Sequence, residues 1–188
     1  MNDIAVEGSG FDNRIQEYRG DNQTMGIFQA TLMLATLLCS LVAGFLFAFS
    51  AVVMPGISSL NDRAFIRAFQ KMDRVIQNNQ PIFMLVWIGS VVALISSVVL
   101  GMGRLEDIER LLLIVAALAY LLGVQLPTVT VNVPLNNKLQ TLDADALDET
   151  VQKKAREDFE PRWNRWNAIR TSFSSLVSAL LIILLFKL

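Results

Sequence analysis

The chain has 188 residues, of which 53% are hydrophobic, and its 16 Lys and Arg residues almost balance its 17 Asp and Glu residues. The mean hydropathy of +0.46 is too high for an ordinary soluble domain. The near-zero net charge excludes the basic surface that binding to DNA or RNA requires, so we expect no nucleic-acid partner. A single cysteine, Cys39, and the lack of histidine leave no internal disulfide and no common ligand set for zinc, copper or haem, so we expect no metal site.

Charged residues are missing from four long stretches of the sequence. These stretches are 22–61, 75–103, 111–137 and 171–186. A helix crosses a bilayer core with about 20 mostly apolar residues; three of the stretches exceed that length and the fourth approaches it. The pattern predicts an all-α integral membrane protein, a four-helix bundle with one amphipathic interfacial helix between spans one and two.

The first span is predicted at about 25–54, within a transmembrane domain that covers residues 25–188. Residues 1–24 contain glycines and charges without helical periodicity, which predicts a flexible N-terminal tail. The apolar run is too long for the core of a cleaved signal peptide, so we expect the span to be permanent. We expect it to end at Pro55, because proline lacks a backbone donor and the glycine after it permits a turn.

Two surface helices are predicted outside the spans. The first covers about 61–78, with Asn61 as its N-cap and basic residues opposite an apolar stripe, a pattern typical of a helix in the membrane interface. Its apolar residues at helical spacing are Phe65, Phe69, Met72 and Ile76. The second covers about 143–160, because its acidic residues come early and its basic residues late, which suits the helix dipole.

The remaining spans are predicted at about 81–100, 111–131 and 166–187. Small residues recur four apart in span two, which lets another helix approach closely; they are Gly89, Ala93, Ser97 and Gly101. An up-and-down bundle brings the end of span one, the start of span two, the end of span three and the start of span four to one side. Most Lys and Arg residues lie in the two loops on that side, which predicts cytoplasmic loops and external termini. We expect the membrane to be a bacterial inner membrane.

Arg170 is a charge that the fourth span must include. The uncharged run 171–186 is short, and a span of bilayer length extends back to Trp166. At about 100° per residue, Trp163, Asn167 and Arg170 share one face of this helix. The functional interpretation is a cation that faces the bundle and binds an anionic or carbonyl oxygen. The alternative is an arginine that reaches lipid headgroups beside an interfacial belt of tryptophans.

Span three carries a second polar face. Gln125, Thr128 and Asn132 recur at i, i+3 and i+7, and Asn136 comes after a proline one turn later. Such a face indicates a polar cavity. The alternative is that these side chains form hydrogen bonds between helices or satisfy backbone groups near the proline. The polar turn that contains Asn79 lies at the same end of the predicted bundle.

Four segments of the sequence carry a resemblance to a known family, in both their order and their spacing. They are 47–56, 65–72, 131–136 and 163–171. The most specific pieces are Asn-Val-Pro-Leu-Asn at 132–136 and Trp-Asn-x-x-Arg-Thr at 166–171. Together they resemble the anthrone oxygenase family, a four-helix membrane family whose bacterial members are mostly of unknown function. The resemblance extends from about Gly44 to Thr171.

The resemblance implies that molecular oxygen oxidises a polyketide anthrone to an anthraquinone without metal, flavin or another cofactor. Such a site favours the enolate, whose electron-rich carbon reacts with oxygen. The implied catalytic residues are Arg170, which stabilises the oxyanion, with Asn167 and Asn132. The implied substrate-binding residues are Trp163, Trp166, Asn136, Gln125, Thr128 and Asn79. The nearest general base in the sequence is Glu160, one turn before Trp163, and it is a poor one.

Two functions of different classes are consistent with these patterns. The leading hypothesis is a cofactor-independent oxygenase of an aromatic, membrane-partitioning substrate. The alternative is a non-catalytic membrane module that binds a lipid, a quinone or a partner membrane protein, and the small-residue face of span two supports it. An ion-coupled transporter is not expected, because the spans lack the carboxylates, lysine and histidine of a proton relay. The expected partners are membrane lipid, a hydrophobic aromatic small molecule and, in a homo-oligomer, a second copy of the chain.

Overall fold

The structure is a computed structural model that describes side chains for residues 25–188, all in helices or their connections. Its α-helices are α1 (Asp3–Ala48), α2 (Met54–Ser58), α3 (Asp62–Gln77), α4 (Pro81–Gly101), α5 (Asp107–Tyr120), α6 (Val133–Gln140) and α7 (Glu149–Lys187). The assignment of α1 begins within the segment for which a flexible tail is predicted. Because the side chains of residues 1–24 lie outside the described part, the flexibility of that tail stays a prediction.

Four helical segments are long and apolar enough to cross a membrane: Met25–Ser58, Pro81–Gly101, Asp107–Gln140 and Glu149–Lys187. We refer to them as spans one to four. Span one packs against spans two and four, and span three packs against the same two neighbours, so the four helices form a closed ring. Apolar side chains from all four spans fill its interior. The predicted all-α membrane bundle is therefore confirmed.

The small-residue face of span two packs inside this bundle. Ala93 and Ser97 are buried, and α1 and α4 are in extensive contact. A Cβ atom placed on Gly89 would lie 3.2 Å from Leu38 Cδ1 of α1, and one placed on Gly101 would lie 3.0 Å from Phe28 Cε2. The predicted close approach of a helix is confirmed, and the helix that approaches is span one of the same chain.

Three wide π-helical turns interrupt the spans, at Phe49–Val53, Leu121–Gln125 and Thr128–Asn132. Each ends two residues before a proline. In each, the residue before the proline donates its N–H to the carbonyl five residues back, as Val133 does to Thr128. Proline cannot donate to the carbonyl four residues back and its ring clashes with it, and the wider turn relieves that clash.

Two predicted helix ends are wrong, because the helices continue beyond these wide turns. Span one was expected to end at Pro55 and span three at about residue 131. Instead, α2 carries span one through Pro55 to Ser58, and α6 carries span three through Pro134 to Gln140. Both prolines occupy the first turn of the helix that comes after a wide turn, a position where the missing N–H costs least.

The second predicted surface helix, 143–160, is not a separate element. Helix α7 begins at Glu149, where Asp148 Oδ1 accepts a hydrogen bond from the Val151 N–H at 2.9 Å, and it continues through Pro161 into span four. Phe159 and Trp163, on either side of this proline, are both buried. Their shared packing face keeps the helix continuous, so the surface segment and the span are one helix of 39 residues.

Helix α3 is the predicted amphipathic helix between spans one and two. Asn61 caps its N-terminus by accepting a hydrogen bond from the Ala64 N–H at 2.9 Å. Its apolar face packs mainly against protein, because Phe65 and Phe69 contact the Phe159 ring of α7. These residues belong to a second hydrophobic core, separate from that of the bundle. Helix α3 therefore covers one end of the four-helix bundle.

Candidate functional site

A cavity of about 250 Å³ lies between α3 and the end of the bundle that α3 covers. The end of span one, the start of span two, the end of span three and the start of span four all contribute to its wall, as the sequence predicts. Six aromatic side chains form much of its lining: Phe45, Phe49, Phe69, Phe83, Trp87 and Trp163. A mostly apolar cavity with a few convergent polar groups is typical of a small-molecule site.

Arg170 lies in the wall of this cavity and is only 4% exposed. Its Nη1 donates to Thr128 Oγ1 at 3.0 Å and its Nη2 donates to Asn167 Oδ1 at 2.9 Å. The guanidinium also lies over the Trp163 ring, 5.8 Å from its centre. Arg170 therefore faces the bundle and does not reach out to lipid headgroups.

No carboxylate within residues 25–188 forms an ion pair with Arg170. The Nε atom is buried and has no hydrogen-bond partner in that part of the chain. Burying a charge is costly unless an opposite charge compensates for it. The arrangement is therefore suited to an anionic oxygen supplied by a bound molecule.

Asn167 fixes the orientation of this guanidinium. Its Nδ2 donates to Ser50 Oγ at 2.7 Å and to the Leu46 carbonyl at 3.1 Å, both in span one. These two bonds leave Asn167 Oδ1 to accept from Arg170. The amide thus connects spans one and four and holds the cation in one direction.

The asparagines of span three form the opposite part of the wall. Asn132 is buried and donates to the Trp163 carbonyl at 3.4 Å, while its own Oδ1 has no partner among the described residues. Asn136 Oδ1 accepts from Trp163 Nε1 at 2.8 Å. The structure thus brings six predicted site residues to one cavity: Arg170, Asn167, Asn132, Trp163, Asn136 and Thr128.

Three predicted site residues lie elsewhere. Trp166 lines a separate apolar groove with Pro127, because it precedes Asn167 by one residue and so points about 100° away. Gln125 accepts a hydrogen bond from Trp87 Nε1 at 3.0 Å and connects spans two and three behind the cavity. Asn79 is exposed in the turn after α3, where its φ of 56° suits an asparagine.

Asp73 of α3 is an acidic cavity residue that the sequence analysis missed. Its side chain lines the cavity and the residue is 4% exposed. Its Oδ1 accepts from Asn136 Nδ2 at 2.8 Å, and its Oδ2 accepts from Gln140 Nε2 at 2.9 Å and Gln77 Nε2 at 2.6 Å. Burial raises the pKa of the Asp73 carboxyl above its usual range, and the three amide donors oppose this shift only in part.

Glu160, the nearest carboxylate in the sequence to the Trp163 face, does not line the cavity. Its Oε2 accepts from Arg156 Nε at 2.7 Å, and Arg156 also binds the Ser58 and Leu60 carbonyls. Glu160 therefore belongs to a cluster that fixes the loop before α3 against α7.

A protein-family model described as anthrone oxygenase matches residues 72–181, which is more than half of the chain. The chain belongs to the anthrone oxygenase family. The segment that matches the anthrone oxygenases includes Asp73 and all nine predicted site residues, whereas Phe45 and Phe49 of span one lie outside it. No curated protein and no solved structure gave a significant match.

Proposed function

We propose that this protein is a cofactor-independent oxygenase that converts a flat, membrane-partitioning aromatic ketone of the anthrone type into a quinone. The observation that carries the proposal is the buried guanidinium of Arg170, which has no acidic partner among the described residues and lines an aromatic cavity. Preorganised donors aimed at a developing oxyanion are an effective form of catalysis. Family membership supports the same reaction class.

The proposed reaction balances without a further reactant. Removal of a proton from the methylene carbon of an anthrone places negative charge on the carbonyl oxygen, which lies against Arg170. Dioxygen then accepts electrons from that carbon and forms a C–O bond, and the peroxide oxygen takes up a proton. Loss of the second methylene proton with cleavage of the O–O bond gives the new carbonyl group and water.

The aromatic lining is consistent with such a substrate. The Phe83 and Trp87 rings stack with centroids 5.4 Å apart, and Phe45 packs edge-on against Phe83 at 5.2 Å. Phe45 also lies 4.9 Å from Phe49, and Phe69 and Phe49 lie 5.4 Å and 5.8 Å from the Trp163 ring. We infer that a flat ring system packs against these rings, because aromatic faces and edges pack well against one another.

The test is turnover of anthrone by the full chain in lipid vesicles, followed as oxygen uptake and quinone absorbance. Arg170→Ala should lower the enzymatic rate about 10² to 10³-fold, the usual cost of losing an oxyanion donor. Arg165→Ala is the matched control, because Arg165 is exposed on the same helix. If wild type and Arg170→Ala both match the protein-free rate, the enzyme proposal fails for this substrate.

The alternative, a non-catalytic module that binds a lipid or quinone, uses the same cavity. The face that supported a partner helix, Gly89 to Gly101, is occupied by α1. Mass spectrometry of small molecules retained after gentle extraction separates the two functions. A retained lipid or quinone with no anthrone turnover would favour the alternative.

We also propose that the cavity end of the bundle faces the cytoplasm of a bacterial cell. The support is the concentration of basic residues there, including Arg63, Lys71 and Arg74 on the exposed face of α3.

A further inference from the structure

Two buried side chains of opposite charge line the cavity, and they do not pair with each other. Asp73 of α3 and Arg170 of span four are each only 4% exposed. Neither takes part in an ion pair within the described residues. Opposite charges in one low-dielectric cavity attract strongly, so other groups must hold these two apart.

Neutral amides and one hydroxyl hold the charges apart. Asn136, Gln140 and Gln77 donate to the Asp73 carboxylate, whereas Asn167 and Thr128 accept from Arg170. The two sets meet at Trp163. Its Nε1 donates to Asn136 Oδ1, and its ring lies beneath the guanidinium. The result is a fixed acid and a fixed cation on different parts of one cavity wall.

We propose that Asp73 is the general base of the reaction, removing a proton from the substrate carbon while Arg170 stabilises the resulting oxyanion. This inference rests on the proposed oxygenase function and supplies the base that the sequence analysis lacked. In the deprotonation step, the C–H electron pair moves into the ring system and the proton moves to a carboxylate oxygen of Asp73. Within residues 25–188, no other carboxylate lines the cavity.

The later steps return Asp73 to its starting state. After dioxygen has bonded to the carbon, protonated Asp73 gives its proton to the peroxide oxygen, which forms a hydroperoxide. The carboxylate then removes the second proton from the same carbon while the O–O bond breaks and hydroxide leaves. Hydroxide takes that proton from Asp73, so the products are quinone and water.

The surroundings of Asp73 suit a general base. Its direct partners are neutral amides, and the neighbouring Lys71, Arg74 and Lys138 point to the exposed surface. Arg170 is the other charged residue in the described part of the cavity wall. Burial raises the pKa of the Asp73 carboxyl, which makes its carboxylate a stronger base than a solvated aspartate.

The proton step can be measured without oxygen. In deuterated buffer under anaerobic conditions, the protein in lipid vesicles should accelerate exchange of the methylene hydrogens of anthrone, followed by NMR. Asp73→Asn should lower the protein-catalysed exchange rate about 10² to 10⁴-fold. Asp73→Glu, which keeps the carboxylate, should retain measurable catalysis. Asp158→Asn is the control, because Asp158 is exposed on α7.

The pH profile separates a base from a structural anchor. The Asp73 carboxylate accepts hydrogen bonds on both oxygens, whereas an asparagine amide accepts on one only, so a lower rate in Asp73→Asn fits either role. An anchor would leave the residual activity of Asp73→Asn with the wild-type pH dependence, and that result would overturn the inference. Wild-type kcat/KM should rise with pH through a pKa above the usual aspartate range, and Asp73→Asn should lose this limb.

Failure of this inference differs from failure of the proposed function. If wild type oxidises anthrone and Asp73→Asn exchanges protons at the wild-type rate, the oxygenase proposal stands and Asp73 is not the base. If wild type accelerates neither exchange nor oxidation, both proposals fail for anthrone.

Discussion

Gly123 allows spans three and four to approach closely, just over one turn before Thr128. A Cβ atom added there would lie 2.3 Å from Cγ and 2.8 Å from Cβ of Phe173 in α7. The Phe173 ring can rotate away, because the side chain is partly exposed, but its Cβ is fixed by the backbone. Gly123→Ala must therefore push the two backbones apart.

The size of this effect can be worked out from contact distances. Carbon atoms pack best at about 3.5–4.0 Å, so relief of the Cβ contact requires a local separation of roughly 1 Å. Overpacking of this kind costs about 1–3 kcal/mol. For a protein of this size, each kcal/mol lowers Tm by about 2–4 °C, so we expect a loss of roughly 2–12 °C. The shift also stretches the 3.0 Å bond between Arg170 and Thr128, which lies just over one turn beyond Gly123.

The assay combines thermal unfolding with anthrone turnover of the same preparation. Displacement of a catalytic group by about 1 Å costs on the order of 10²-fold in rate, so Gly123→Ala should lose both stability and activity. Gly44→Ala is the matched control, because nothing lies within 4 Å of its added Cβ and alanine stabilises a helix interior by about 0.5–1 kcal/mol. A Gly123→Ala protein that melts and turns over like wild type would refute the reasoning.

Two further predictions concern the covered end of the bundle. Arg156 donates to the carbonyls of Ser58 and Leu60 and to the carboxylates of Asp62 and Glu160. Arg156→Ala should therefore lower the free energy of unfolding by about 2–3 kcal/mol, lower Tm by several degrees and reduce turnover. Arg162→Ala is the control, because Arg162 is exposed and its loss should change none of these quantities. Orientation is testable because Cys39 is buried. In Lys138→Cys, a membrane-impermeant maleimide should label inside-out vesicles and not intact cells; labelling of intact cells would place the cavity outside.

The sequence predicts the bundle and part of the cavity because both depend on simple periodicities. Long uncharged runs fix the four spans, and a rotation of about 100° per residue places Trp163, Asn167 and Arg170 on one buried face. The same rotation sets Trp166 apart from that face. Trp166 was assigned to the site because the segment 163–171 resembles the family. That segment contains Trp163 and Trp166 but does not show that the two side chains point in different directions.

The spacing of Asp73 in the sequence predicts that it is buried, but a charged residue is normally assigned to the exposed face of a helix. It lies four residues after Phe69 and therefore on the buried face of α3, among Phe65, Ile66 and Phe69. A carboxylate on a buried face needs a hydrogen-bond donor or an opposite charge beside it. The amide partners Asn136 and Gln140 come more than 60 residues later, and only the tertiary fold brings them to Asp73.

Helix ends were the other source of error. Proline was expected to stop spans one and three, yet both continue, because the wide turns before Pro55 and Pro134 relieve the proline clash. Packing keeps α7 continuous at Pro161. Local sequence shows where a backbone hydrogen bond is lost, whereas the rest of the fold decides whether the helix survives the loss.

The wide turn at Thr128–Asn132 sets the angular phase of span three. In a regular α-helix, eight residues rotate through about 800°, which would point Asn136 some 80° away from Thr128. A π-helical turn takes up about one extra residue, and so it rotates the later residues of the span backward by about 100°. Thr128, Asn132 and Asn136 consequently all reach the cavity at a spacing of four and eight residues. Polar residues spaced four and eight apart around a proline can therefore lie on one face of a span. A standard helical wheel would assign them to two different faces.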